Sequence, residues 1–172
     1  MCFSFFKKKP KFDWDEVQVT MANAISDLDM NGMPLQANRS TENWELKMCN
    51  DEYGVGGYLT LTVDDFKWTV CMYFSKTFNE LRRSLAFKNC RLSDKHMAQL
   101  RSKYPFLQFR MSANDTLDVD DMPKQGKYVA DGIRCKKLEE IAAAVQKQGD
   151  DFNYLCVYDN VKKLYDEEKA GK

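Results

Sequence analysis

Four aspartates, Asp115, Asp118, Asp120 and Asp121, form the densest acidic cluster in the chain. Leu117 and Val119 alternate with Asp118 and Asp120, so on a strand those two carboxylates share the outer face. Carboxylates so placed can hold Mg²⁺ or Mn²⁺ for phosphoryl chemistry. Asp118, Asp120 and Asp121 are therefore the metal-site candidates, and the matching activity is a metal-dependent hydrolase or nuclease. No other residues supply metal partners at a recognisable spacing, and acids beside a loop are ordinarily just solvated.

A second acidic run, Asp27-Leu28-Asp29-Met30-Asn31-Gly32, matches the first half of a calcium loop. Alternate carboxylates and a glycine for the sharp turn are what Ca²⁺ needs. The second half fails: Asn38 stands where a bidentate Glu is required, and Pro34 replaces the apolar eighth residue. A helix C-terminus with solvated acids accounts for the run. Gly54-Val55-Gly56-Gly57 is rich in glycine but leads into a strand, whereas a phosphate-cradling loop opens a helix. Close strand approach or a bulge is the expectation there.

Nucleophilic catalysis finds little material. His96 is the only histidine, so a His-bearing triad or a His pair has one possible member, and its helix position predicts exposure. Cysteines stand at 2, 49, 71, 90, 135 and 156 with no C-x-x-C pair. Cys49, Cys71 and Cys156, inside strand-like or helix-like runs, read as reduced core or strand residues of a cytoplasmic protein, with no cofactor implied.

The elements that would position these residues centre on Gly56–Ser75, the clearest period-two pattern in the chain. Paired as a hairpin across Asp64-Asp65, it sets Val63 against Phe66, Leu61 against Trp68, Leu59 against Val70 and Gly57 against Met72. The large apolar residues then share one face, and burial of that face fixes the register. Tyr58, Tyr73 and Cys71 fall on the other face. Either helices cover them or a partner does, so Tyr58 and Tyr73 are the candidate partner-binding residues.

Upstream, Asp13 is an N-cap with Glu16 at the capping-box position, and Phe12 and Val17 are spaced for a staple. Trp14, Val17, Met21, Ile25 and Leu28 make one apolar stripe, ended by Asn31-Gly32. Trp44, Leu46 and Met48 alternate as a first strand, which completes a three-stranded meander. Thr77 to about Lys88 reads as a short helix: Thr77 caps, Glu80 takes the capping-box position, and Phe78, Leu81 and Leu85 face inward. Ser93–Tyr104 is a helix stopped by Pro105, and Phe106–Ser112 is a strand. Asn114-Asp115 turns into a return strand over Thr116–Val119, and Tyr128-Val129 is a further short strand. Arg134–Gln148 is a helix stopped by Gly149, and Phe152–Glu168 is a last helix. The fold class is α+β: an antiparallel sheet, the meander plus one or two strands, packed against helices.

With 172 residues the chain is long enough for one domain with a stable core. It divides into a basic, aromatic tail over 1–11 and an α+β domain over 12–172. Lys and Arg number 26 against 26 Asp and Glu, which argues against a dedicated nucleic-acid binder. No apolar run is long enough to span a membrane. The tail has its apolar part before its charges, the reverse of a signal peptide. It could instead tether the protein to a membrane surface, with Phe3, Phe5 and Phe6 inserted, Lys7, Lys8, Lys9 and Lys11 on anionic lipid, and Cys2 acylated.

The element order, carried by the stripe Trp14–Leu28, the meander Trp44–Phe74, the strand Leu107–Met111 and the helix Leu138–Val145, resembles the α+β fold of type III secretion chaperones and the related YbjN-like family. That resemblance implies a small, often dimeric, non-enzymatic cytosolic protein that binds a polypeptide. Two helices after the meander where one is expected, and the added helix Phe152–Glu168, depart from the family pattern. The chain is also not acidic overall, as many secretion chaperones are. The expectation is a non-enzymatic, chaperone-like or adaptor-like module with a protein partner or a second copy as its ligand. The metal-dependent hydrolase and the membrane-tethered protein are the alternatives.

Overall fold

A computed structural model describes residues 11–28, 44–63, 66–127, 130–151 and 154–171. The tail residues 1–10, the Asn31-Gly32 helix stop, the calcium-loop positions from Asp29 onward, the Asp64-Asp65 turn and the Tyr128-Val129 strand lie outside the described residues.

Helix α1 (Trp14–Ser26) starts as its sequence requires. The Asp13 carboxylate accepts the backbone N–H groups of Asp15, at 3.0 Å, and Glu16, at 3.3 Å. Two of the N–H groups that a helix start leaves unpaired are thereby satisfied. Val17, Met21 and Ile25 form its buried stripe, and Leu28 stays buried beyond the helix end.

The chain then forms a four-stranded meander: β1 (Trp44–Asn50), β2 (Gly54–Val63), β3 (Phe66–Ser75) and β4 (Glu80–Lys88). The β2–β3 register is the one that burial demands: Leu61 opposite Trp68, Leu59 opposite Val70, Gly57 opposite Met72. Leu61, Trp68 and Val70 are buried and Leu59 is half-buried.

β4 occupies the segment expected to be a helix. The four-residue spacing of Leu81 and Leu85 fits a helix and a strand equally, because four is a multiple of two and close to 3.6. Alternation decides it: Leu81, Leu85 and Phe87 are buried on one face, and β4 pairs along β3 from Lys88 opposite Lys67 to Glu80 opposite Ser75. An exposed β3 edge is thereby removed. Phe78, expected inward, is exposed in the β3–β4 turn, and Glu80 pairs with Arg82 and Arg134 instead of capping a helix.

Helix α2 (Asp94–Lys103) is capped by Ser93 and followed by β5 (Leu107–Met111) and β6 (Leu117–Asp121). The turn between those strands holds Asp115 at φ 53°, a left-handed conformation that Asp tolerates. The short β7 (Ile133–Arg134) includes Arg134, where the helix was expected to begin. α3 (Glu139–Asp151) starts later and runs past Gly149, which was the expected stop. Gly149 serves packing there: a Cβ on it would lie 2.7 Å from Leu28 Cδ2. α4 (Tyr154–Ala170) buries Val157, Tyr158, Val161, Leu164 and Tyr165.

The strand order is β1-β2-β3-β4-β6-β5, antiparallel throughout, with β7 beside the start of β4. The helices reach the sheet from the Trp68 side. Ile25 of α1 sits over Gly57, Tyr158 of α4 packs 5.3 Å from Trp68, and Tyr104, at the end of α2, packs 6.1 Å from Phe109. α3 lies against α1 and β4. The architecture is α+β, one antiparallel sheet with helices over one face.

Candidate functional site

The other face of the sheet carries the candidate residues. Tyr58 and Cys71 are direct cross-strand partners, and Tyr73 opposes Gly56 on β2. All three share this face with Thr60 and Thr69, whose hydroxyls hydrogen-bond at 2.9 Å. Glycines make the floor. A Cβ on Gly54 would lie 2.5 Å from Tyr73 Cζ, and one on Gly56 would lie 2.9 Å from Tyr58 Cε2. Both tyrosine rings therefore lie down on glycine backbone rather than projecting, which leaves them half-buried. The same run lets α1 approach on the inner face, where a Cβ on Gly57 would meet Ile25 Cδ1 at 2.2 Å. Close approach is thus the explanation of the glycine run.

Burial in this layer suppresses acid–base reactivity. Desolvation, with the neighbouring Cys71 thiol, pushes the Tyr58 hydroxyl up to about 12. Desolvation likewise takes the Cys71 thiol up to about 11, against hydrogen bonds from Ser84 and Tyr58 that favour the thiolate. Both groups are protonated at neutral pH, and a thiol in that state is a poor nucleophile.

Beside Tyr73 the sheet is interrupted. β4 pairs with β7 at Glu80 and Leu81, and with β6 from Leu85 to Phe87. Between those ladders, at Arg82–Ser84, lies a cavity of about 230 Å³. Cys71, Tyr73, Arg82, Ser84, Arg110 and Asp120 line it from the outer face, and Arg83, Asp121 and Gln148 from the helix side. Arg83 fills the break. Its side chain is 8% exposed, it pairs with Asp121 at 3.0 Å, and it donates to the Gln148 carbonyl near the end of α3. That carbonyl is one of the unpaired acceptors of a helix terminus, so the guanidinium suits it.

The acidic cluster is divided by the pleat. Asp118 and Asp120 share the outer face as expected, while Asp121 points to the other side and meets Arg83. Asp120 is ion-paired with Arg110. Desolvation nevertheless raises both Asp118 and Asp120, outweighing the attraction of Arg110. Among the described residues no group of three or more His, Cys, Asp or Glu side chains is placed to hold a metal ion.

His96 lies elsewhere and is not the exposed residue expected. Its side chain is 13% exposed and held between two glutamates of α4, Nδ1 at 2.8 Å from Glu168 and Nε2 at 3.5 Å from Glu167. The Glu168 carboxylate also accepts the Ser93 backbone N–H. These contacts, with those to the Ser93 hydroxyl first in size, hold Glu168 down at about 2. Cys90 nearby is buried, and desolvation lifts its thiol to about 12. The only histidine thus ties the start of α2 to the last turns of α4.

The arginines of the cavity were not singled out from sequence. One signal was available: Arg83 occupies an inward position in the alternation of Leu81, Leu85 and Phe87, and a charge at a core position is expensive unless paired. Arg110 has no comparable signal, because it alternates outward like any strand residue.

Compared with protein-family models, with characterised proteins and with solved structures, the chain matches none of them.

Proposed function

We propose that this protein acts by binding a polypeptide along the helix-free face of its sheet, with one side chain of the partner entering the cavity at the β6–β7 break. The observation that carries this reading is the cavity itself, opening on a broad polar and aromatic face. At about 230 Å³ it is smaller than the ~300–1,000 Å³ of small-molecule sites, and it suits a single side chain of an extended ligand. Charges of both signs line it, Arg82, Arg110, Asp120 and Asp131, with Arg110 paired to Asp120, which favours a polar or charged side chain over an apolar one. Tyr58 and Tyr73 add flat contact area whose ordering is already complete, so little entropy is lost on binding.

With Thr77–Lys88 a strand, a single helix follows the meander, which removes one departure from the type III secretion chaperone and YbjN-like pattern, while the meander itself has four strands in place of the three on which that resemblance rested. Those families bind polypeptides without chemistry.

The test uses a photo-crosslinking residue at Gln108, beside the cavity, and a control at Gln99 on α2. Crosslinking in the native host should capture one partner from position 108 alone. The purified partner should then lose affinity at least about tenfold for Arg110→Gln, measured where circular dichroism shows the variant and the parent both fully folded. Equal capture from both positions, or full affinity in the variant, would overturn the proposal.

A further inference from the structure

The strand order ends at β1 on one side and at β5 on the other. In an antiparallel pair every second residue turns its N–H and C=O away from the neighbouring strand. On β5 these residues are Leu107, Phe109 and Met111, because the Met122 N–H donates to the Phe106 carbonyl at 2.8 Å and fixes the alternation. Groups of α2 and its cap engage two of them. The Leu107 N–H donates to the Tyr104 carbonyl at 3.0 Å, and the Phe109 carbonyl accepts from Arg101 at 3.3 Å. That edge is guarded.

On β1 the Asp51 N–H donates to the Gly54 carbonyl at 3.0 Å, so Trp44, Leu46, Met48 and Asn50 turn their backbone groups outward. Among the described residues no strand lies beyond β1. β1 pairs with β2 without a bulge and contains no proline, two devices that blunt an edge. Leu46 and Met48 are half-buried on the helix side, and Glu45 and Lys47 are exposed on the other face.

We infer that β1 pairs antiparallel with β1 of a second copy of this chain, about a two-fold axis at Leu46. Charge selects that register. An axis at any residue of β1 brings outward-turned residues together and permits backbone bonding. An axis at Glu45 sets Glu45 opposite itself, one at Lys47 sets Lys47 opposite itself, and one at Met48 sets Glu45 opposite Asp51. The axis at Leu46 sets Glu45 of each copy opposite Lys47 of the other, where opposite charges attract and like charges would repel. Those two pairs are not the hydrogen-bonded ones, so their side chains approach most closely. On the helix side Leu46 meets Leu46 of the second copy and gains apolar cover.

The acids at the end of β1 stand clear of their counterparts. Asp15 lies 3.5 Å from the Asn50 amide, and Asp51 and Glu52 follow in the turn. Asn50 is four residues from the axis, so the two sets are about 26 Å apart, more than two screening lengths. The pairing uses the sheet edge and leaves both helix-free faces open, so it stands independently of the polypeptide reading.

Sedimentation equilibrium of the full chain over a range of concentrations tests it. The parent should be a dimer. Glu45→Lys and Lys47→Glu each turn both attractive contacts into repulsive ones at exposed positions, and each should weaken dimerisation at least about tenfold. Mixed together, the two single variants should form a heterodimer about as tight as the parent dimer, because opposite charges again face each other at both contacts. Circular dichroism establishes that each variant is folded as the parent is. Three results would each overturn the inference: a parent monomeric at every concentration, single variants that dimerise as the parent does, or a mixture that fails to associate.

Discussion

The ring of Tyr73 lies on the backbone of Gly54, so close that a single added methyl would fall 2.5 Å from its Cζ. The same methyl would stand 2.4 Å from the Phe74 carbonyl oxygen, which cannot swing aside as a side chain could. Gly54→Ala should therefore destabilise the protein by ~1–3 kcal/mol through overpacking. Gly171→Ala, whose Cβ would meet nothing nearer than 3.5 Å, should be close to neutral. Urea denaturation of both variants checks this, and a Gly54→Ala protein as stable as the parent would mean that the ring does not rest there.

Phe78 separates the strand at β4 from the helix first expected, and Trp68 reports on the core beneath it. Trp68 is buried between Phe87 and Tyr158, so Trp68→Ala should cost ~3–5 kcal/mol. Phe78 would be a core residue in a helix and is a solvent-facing turn residue here, so Phe78→Ser should change stability by no more than ~0.5 kcal/mol. A large loss at Phe78 would restore the helical reading of Thr77–Lys88.

Arg83 is the one charge at an inward position of β4, held by Asp121 and the Gln148 carbonyl. Arg83→Ala should cost ~1.5–3 kcal/mol, the usual size for a hydrogen bond to a charged group that is lost from a buried site. Asp121→Asn should cost less, because Asp121 is partly open to water. A double-mutant cycle on the pair should return a coupling energy above ~0.5 kcal/mol. Strict additivity would show that Asp121 does not hold Arg83.

Glu168 makes stability depend on pH in the acid range. Its carboxyl is held at about 2 in the folded chain, against an ordinary 4.5, by Ser93 and then His96. A depressed folded-state value means that the unfolded chain binds the proton first. The stabilisation is therefore present above about 4.5 and is lost as pH falls towards about 2. Melting temperatures of the parent and Glu168→Gln should differ at pH 7 and converge over that window. A gap that stays constant down to pH 2 would count against the clamp.

The elements with strong local chemistry were legible in the sequence. Asp13 and Ser93 announce their helices because a capping side chain acts within three residues of itself. The β2–β3 register follows from alternation, since a one-residue slip would exchange every buried side chain for an exposed one. The placement of Asp118 with Asp120 on one strand face, and of Tyr58 with Tyr73 on the face away from Trp68, is period-two geometry and needs no tertiary information.

Tertiary structure alone decided the rest, wherever two local readings were equally good or the partner was far along the chain. Leu81 and Leu85 fit helix and strand alike, and the unpaired edge of β3 settled the choice. Gly149 could stop a helix or admit a neighbour, and contact with Leu28 made it the second. His96 is polar on its own helix but half-buried once α4 brings Glu167 and Glu168 from more than seventy residues away. The cavity exists only because β4 changes partner from β7 to β6, which leaves a break that Arg83, Asp121 and Gln148 meet across. Residues that distant carry no mutual spacing signal, because the loops that join them can close at almost any length for little extra entropy.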